Sequence, residues 1–122
     1  MTNKARLTLL AVLATSPAFA QSQSAMNADA VGQAKAADAA LNGRYAAAMA
    51  RLSPPSRVLL RDAQRSWIGF RDRQCAFEAS GVEGGSAYPM VYAGCLARVT
   101  ADRTRTLRRL GQCEEGDLSC PR

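Results

Sequence analysis

From residue 28 onward, hydrophobic and polar positions alternate with helical periodicity in three stretches, separated by two short clusters of helix-breaking residues. The first stretch, residues 28–52, is alanine-rich. On a helix centred at Leu41, one face gathers Ala30, Ala34, Ala37, Asp38, Tyr45, Ala48 and Leu52. Small side chains of this kind let a neighbouring helix approach closely. Ser53-Pro54-Pro55-Ser56 ends that helix and begins the next, with Ser53 placed to cap and the prolines tolerated in a first turn. The second stretch runs to about Ser80. Wound at about 100° per residue, it centres Trp67 on one face. Ala63, Phe70 and Phe77 fall on one flank, and Gln64, Arg71 and Cys75 on the other. The aromatic flank predicts a core stripe. The other flank sets an amide, a guanidinium and a thiol beside the single tryptophan. Gly81 is suited to a C-cap, and residues 81–89 supply the turn before a third helix from about Pro89 to Leu110, with Gly111 beyond it. Its expected buried face holds Tyr92, Cys95, Leu96, Arg103, Thr106, Leu107 and Leu110. Short connections place consecutive helices antiparallel. The expected fold is all-α, a small antiparallel three-helix bundle over residues 28–111 with a disulfide-closed tail at residues 112–122.

The start of the chain reads differently. Lys4 and Arg6, a mostly apolar run over residues 7–13, and Ala18-Phe19-Ala20 together fit a signal peptide of residues 1–20, cut near Ala20. Residues 21–27, QSQSAMN, are small and polar and read as a flexible leader. The apolar run is far shorter than the roughly 20 residues a membrane helix needs, and no later stretch approaches that length. The expectation is therefore export to the periplasm or the medium, with no transmembrane segment.

Export changes how the cysteines are read. Cys75, Cys95, Cys113 and Cys120 are an even set in an oxidising compartment, where disulfides are the default. The chain has no histidine and the cysteine spacings are not those of zinc sites, so neither a metal nor a cofactor is expected. In a hairpin of helices two and three, Cys75 and Cys95 both lie roughly 8 to 10 Å from the turn and can meet. Cys113 lies roughly 25 Å from Cys95 along a mostly helical path, too far for a bridge. That leaves Cys75 with Cys95 and Cys113 with Cys120.

Sixteen Lys and Arg against ten Asp and Glu give +6, and loss of Lys4 and Arg6 with the leader leaves +4. An arginine-rich surface of this sign favours an anionic partner. Export and the lack of any recognition motif argue against nucleic acid.

In this setting the order Leu60, AQRSW at 63–67, FRDRQC at 70–75, GGS at 84–86 and CLARVTADRTRTL at 95–107 resembles the lysozyme-inhibitor LprI-like N-terminal domain family, formerly a domain of unknown function. Asp38, Leu41, Asn42 and Tyr45 also match the D-x-x-L-N-x-x-Y of its first helix. The resemblance covers residues 38–110. It implies a helical exported domain that binds a lysozyme-type protein and protects the bacterial wall. Unlike many relatives, this chain carries no cysteine before the first helix and adds Cys113 and Cys120.

The polar residues on the helix faces admit two readings. Asp38, Arg71 and Arg103 stand at the edges of three different faces, so that a network including Gln64 and Tyr45 can form around Trp67; alternatively, the arginines lay their stems over the core and keep their heads in water. Asp72 reads as a surface residue near Arg65. Catalysis lacks its pieces: the acids are scattered, Ser86 has no histidine, and Lys35 is the only lysine after residue 20. The partner-binding candidate is the loop of Glu83, Gly84, Gly85, Ser86 and Tyr88, although glycines in an interhelical turn also serve backbone geometry alone. Against a basic lysozyme, a chain at +4 needs local acidic complementarity, from Glu78 and Glu83 or from Glu114, Glu115 and Asp117. The rival reading is a non-catalytic module whose arginine-rich face binds an anionic wall or membrane component.

Overall fold

A computed structural model describes residues 18–122, with side chains from Ser22 onward. The described residues form three helices: α1 (Ala18–Arg51), α2 (Pro54–Ala79) and α3 (Tyr88–Leu110). A single 3₁₀ turn, Ser80–Val82, follows α2. Each helix runs opposite to the one before it, so α1 and α3 are parallel and α2 is antiparallel to both. The fold class is thus the one read from the sequence.

The packing centres on α3. α1 lies against α3 over most of its length, α2 leans on α3 less extensively, and α1 and α2 barely touch. α3 accordingly buries Ala93, Cys95, Val99, Thr100, Thr104 and Leu107, whereas α2 buries only Gln64, Cys75 and Ala79. Between α1 and α3 the core is small-residue packing of Ala30, Ala34 and Ala93, with Met90, Leu96 and Ala97 around it. Between α2 and α3 it is Cys75, Cys95 and Val99 beneath Trp67, Tyr92 and Leu96. Two disulfides close the structure, Cys75 with Cys95 and Cys113 with Cys120.

The aromatic flank of α2 is not core. Phe70 is 57% exposed and Phe77 73% exposed, and Ala63 is exposed as well. The polar flank faces inward instead, and the Cys75 bridge explains why. Taking about 100° per residue from Cys75, Arg71 and Ala79 lie within about 40° of the bridged face and Gln64 within about 20°, while Phe70 and Phe77 are turned away by about 140° and 200°. With one neighbouring helix rather than two, α2 has no second face to bury. Replacing Phe77 by Ser should therefore change stability by less than about 0.5 kcal/mol in urea unfolding, as at an exposed position.

The third helix is also rotated slightly from expectation. Thr100 and Thr104 are in the core, and Leu110 is 41% exposed. The Thr104 hydroxyl donates to the Thr100 carbonyl at 3.0 Å, which satisfies it within its own helix.

The first helix begins ten residues before its expected start at residue 28. Residues 21–27, expected as a flexible leader, are turns of α1. Ala, Gln and Met favour helix here, and tertiary contacts hold it. Gln23 donates to Asn27 Oδ1 at 3.0 Å, and Asn27 Nδ2 donates to the Ser86 carbonyl at 2.9 Å. The signal-peptide expectation falls mostly on residues 1–17, outside the described residues. Among the described residues, no helix is long and apolar enough to cross a membrane.

Ser53 sits at the α2 N-cap in an extended conformation, but its side chain does not cap. The Ser53 hydroxyl donates instead to the Arg122 main-chain oxygen at 2.8 Å and the Ser56 hydroxyl donates to the same oxygen. These bonds pin the tail against the start of α2.

Candidate functional site

The Trp67 cluster spans all three helices. Arg71, from α2, donates through Nη1 to Asp38 of α1 at 3.0 Å and to Thr100 Oγ1 of α3 at 3.4 Å. Its Nε donates to Asp72 at 2.9 Å, so Asp72 pairs with Arg71 rather than Arg65. Arg103 of α3 donates through Nε to Gln64 Oε1 at 3.0 Å. Both guanidinium groups lie over the Trp67 ring, 5.3 Å and 5.8 Å from its centroid. Contacts of this length are cation–π interactions worth about 0.5 to 1 kcal/mol each near a surface. Burial pulls the Arg103 guanidinium below its ordinary pKa. Arginine starts so far above neutrality that it stays charged. Among the described residues, every buried side-chain nitrogen and oxygen has a partner. Tyr45 is half-buried and makes no hydrogen bond to this cluster, so it does not join the group expected around Trp67. Thr100 takes part unexpectedly.

The loop that follows α2 is a series of tight turns. Glu83 N–H donates to the Ser80 carbonyl at 3.2 Å, Gly85 N–H to Val82 at 3.0 Å, and Tyr88 N–H to Gly85 at 3.2 Å. Gly84 has φ +75°, the left-handed region where glycine carries no steric cost. A Cβ on Gly85 would stand 3.1 Å from the Val82 carbonyl oxygen. Glu83, Gly84, Gly85 and Ser86 are all exposed, and half-buried Tyr88 stacks on Tyr92 with ring centroids 5.7 Å apart. The loop is braced by the Cys75–Cys95 bridge below it and by Asn27 from the side. Asn27 was not expected here, because it lies in a stretch with no apolar periodicity to place it. Beside the loop, Gln74 and then Arg98 hydrogen-bond to Glu78 and hold its carboxyl below the usual range.

Charge is unevenly divided along the bundle. The half around the loop, residues 22–40 and 70–100, has Lys35, Arg71, Arg73 and Arg98 against Asp29, Asp38, Asp72, Glu78 and Glu83, a balance of −1. The opposite half, residues 41–69 and 101–122, has ten arginines against five acids, a balance of +5. No group of three or more acids, cysteines or histidines among the described residues is placed to hold a metal ion.

Comparison with protein families places this arrangement. The model of the family described as lysozyme inhibitor LprI matches residues 14–107. The chain belongs to the LprI lysozyme-inhibitor family. The LprI match runs from before the start of α1 to Leu107, which agrees with α1 extending well before residue 28, and it excludes the Cys113–Cys120 tail. The residues that carry the LprI resemblance, among them Gln64, Trp67, Arg71, Cys75, Cys95 and Arg103, converge on the α2–α3 contact. LprI is a family of inhibitors rather than catalysts. An uncharacterised protein, R02472, of Rhizobium meliloti (strain 1021) is 35% identical over 129 residues, covering 87% of this chain and 93% of that protein. No solved structure matches.

Proposed function

We propose that the chain is exported, with cleavage near Ala20, and that in the periplasm or medium it binds a lysozyme and blocks its access to the bacterial wall. The LprI family match over residues 14–107 carries this reading. Two disulfides fit an oxidising compartment. The loop end is the binding end. Its exposed Glu83 and Ser86, the turn at Gly84 and Gly85, and the half-buried Tyr88 ring form a braced loop at one end of the bundle. Bracing matters because a rigid loop loses little conformational entropy on docking.

Net charge does not oppose this orientation. A lysozyme docked on the loop meets the −1 half, and α3 separates it from the arginine end by about 33 Å. At physiological ionic strength the screening length is about 8 Å, so the distant arginines exert little repulsion on the docked partner.

The test is a lytic assay. With purified protein over a molar series against several lysozyme types, at least one should lose most of its activity at low molar excess. Unchanged activity of every type with the protein at about 100 μM, where a micromolar complex would be almost fully formed, would overturn the reading.

A further inference from the structure

At the arginine end, two adjoining cavities combine features that neither the fold nor loop docking uses. The larger, of about 390 Å³, is an apolar slot between the end of α1, the start of α2 and the end of α3, lined chiefly by Leu52, Leu59, Leu60, Leu107 and Leu110. Cys113 and Pro121 of the disulfide tail form its outer wall. The smaller, of about 260 Å³, shares Ala48, Arg51, Leu107 and Gly111 with the slot and adds Arg44 and Arg108. No acidic residue lines either one. Arg44 and Arg108 are exposed and form no ion pair among the described residues. Arg51 uses one nitrogen on the Gly111 carbonyl at 2.9 Å, and its other donors are left for a ligand. At the slot, Leu59 is 70% exposed and Leu110 41% exposed, large apolar surface that folding leaves in water.

We infer that this end binds a single-chain anionic amphiphile, its alkyl tail in the leucine slot and its head group on Arg44, Arg51 and Arg108. The volume lies at the lower end of the range for small-molecule sites, which are mostly apolar with a few convergent polar groups. Charge selects the head: three guanidinium groups with no competing carboxylate favour carboxylate or phosphate. The inference gives the tail a role, since the Cys113–Cys120 bridge and the Ser53 and Ser56 contacts to Arg122 hold one wall of the slot. It does not depend on lysozyme binding, because the site lies at the other end of the molecule.

Calorimetric titration of the purified chain with octanoate, decanoate and dodecanoate, below their micelle concentrations, tests it. Affinity should rise about fourfold per added methylene, the increment for burying each one. Decyltrimethylammonium should bind at least about tenfold more weakly than decanoate, since its head meets arginines. Arg108→Glu and Leu59→Asp should each weaken dodecanoate at least about tenfold. Both positions are exposed, and unchanged circular dichroism would confirm that the fold is kept. Binding of free dodecanoate assigns a soluble fatty-acid-like ligand. Binding confined to phosphatidylglycerol vesicles, whose lipids carry two chains, would overturn the single-chain site. Equal affinity for the cationic analogue, no dependence on chain length, vesicle binding that survives Leu59→Asp, or no binding to either probe overturns it.

Discussion

Replacing Cys75 and Cys95 together by alanine lowers stability by about 3 kcal/mol and Tm by about 15 °C. The bridge spans 20 residues, so the unfolded chain gains the freedom of a long loop when it is cut. It is also the main fixed point between α2 and α3, the less extensive of the two helix contacts. Its sulfurs are buried in the small cluster with Val99, under Trp67 and Leu96. Losing it removes both the chain constraint and the anchor of α2's rotation, so the loop at residues 83–88 should lose its brace too. Differential scanning calorimetry of the double variant under oxidising conditions measures the first effect. Faster amide exchange at Gly85 and Tyr88, whose N–H groups are bonded within the loop, measures the second. Cutting Cys113–Cys120, which spans only 7 residues in an exposed tail, should lower Tm by less than cutting Cys75–Cys95 does, at most about 12 °C.

Arg71→Ala should be the costliest single substitution in the polar cluster, at about 2 to 3 kcal/mol by urea unfolding. Its side chain is only 14% exposed, and it serves Asp38, Asp72, Thr100 and the Trp67 ring at once. Truncation leaves the buried Thr100 hydroxyl without this partner. Asp38 is different: at 52% exposure its ion pair is largely solvated, and Asp38→Ala should cost about 0.5 to 1 kcal/mol. Arg71→Lys should fall between, because an ammonium keeps the charge but cannot bridge three partners with a planar fork. A double-mutant cycle between Asp38 and Arg71 isolates their coupling, expected at about 0.5 to 1 kcal/mol. Equal costs for Arg71→Ala and Asp38→Ala would show that Arg71 serves only its surface partner.

Much of this was legible in the sequence because the signals were local. Proline and glycine marked the ends of α2 and α3 within a residue or two, and helix rise alone selected the two disulfides. The failures were tertiary. Apolar periodicity put Phe70 and Phe77 inside, yet α1 packs on α3, where alanine meets alanine, and leaves α2 a single neighbour. The Cys75 constraint already in the sequence fixes the phase of α2 and turns both phenylalanines outward, so the bridge outranks hydrophobicity as a guide to which face is buried. The early turns of α1 were missed because residues 21–27 have no apolar stripe; a side-chain amide reaching a loop carbonyl, Asn27 to Ser86, leaves no periodic trace. The Arg71–Trp67–Arg103 stack was legible in its members but not in its completion, since Thr100 replaces Tyr45. The leucine slot was invisible for a related reason: it draws on the ends of three helices and a disulfide tail that no single window contains.

The most direct test of the central claim, that the braced loop and not the arginine end meets a lysozyme, is a dose–response lytic assay on three forms of the protein. Wild type is compared with Glu83→Lys/Tyr88→Ala at the loop and Arg57→Glu/Arg109→Glu at the opposite end. The loop variant should need at least about tenfold more protein for half-inhibition, because truncating an aromatic that anchors an interface costs about 2 kcal/mol or more of binding. The arginine-end variant should stay within about twofold of wild type. Full potency in the loop variant, or its loss in the arginine-end variant, would contradict the account.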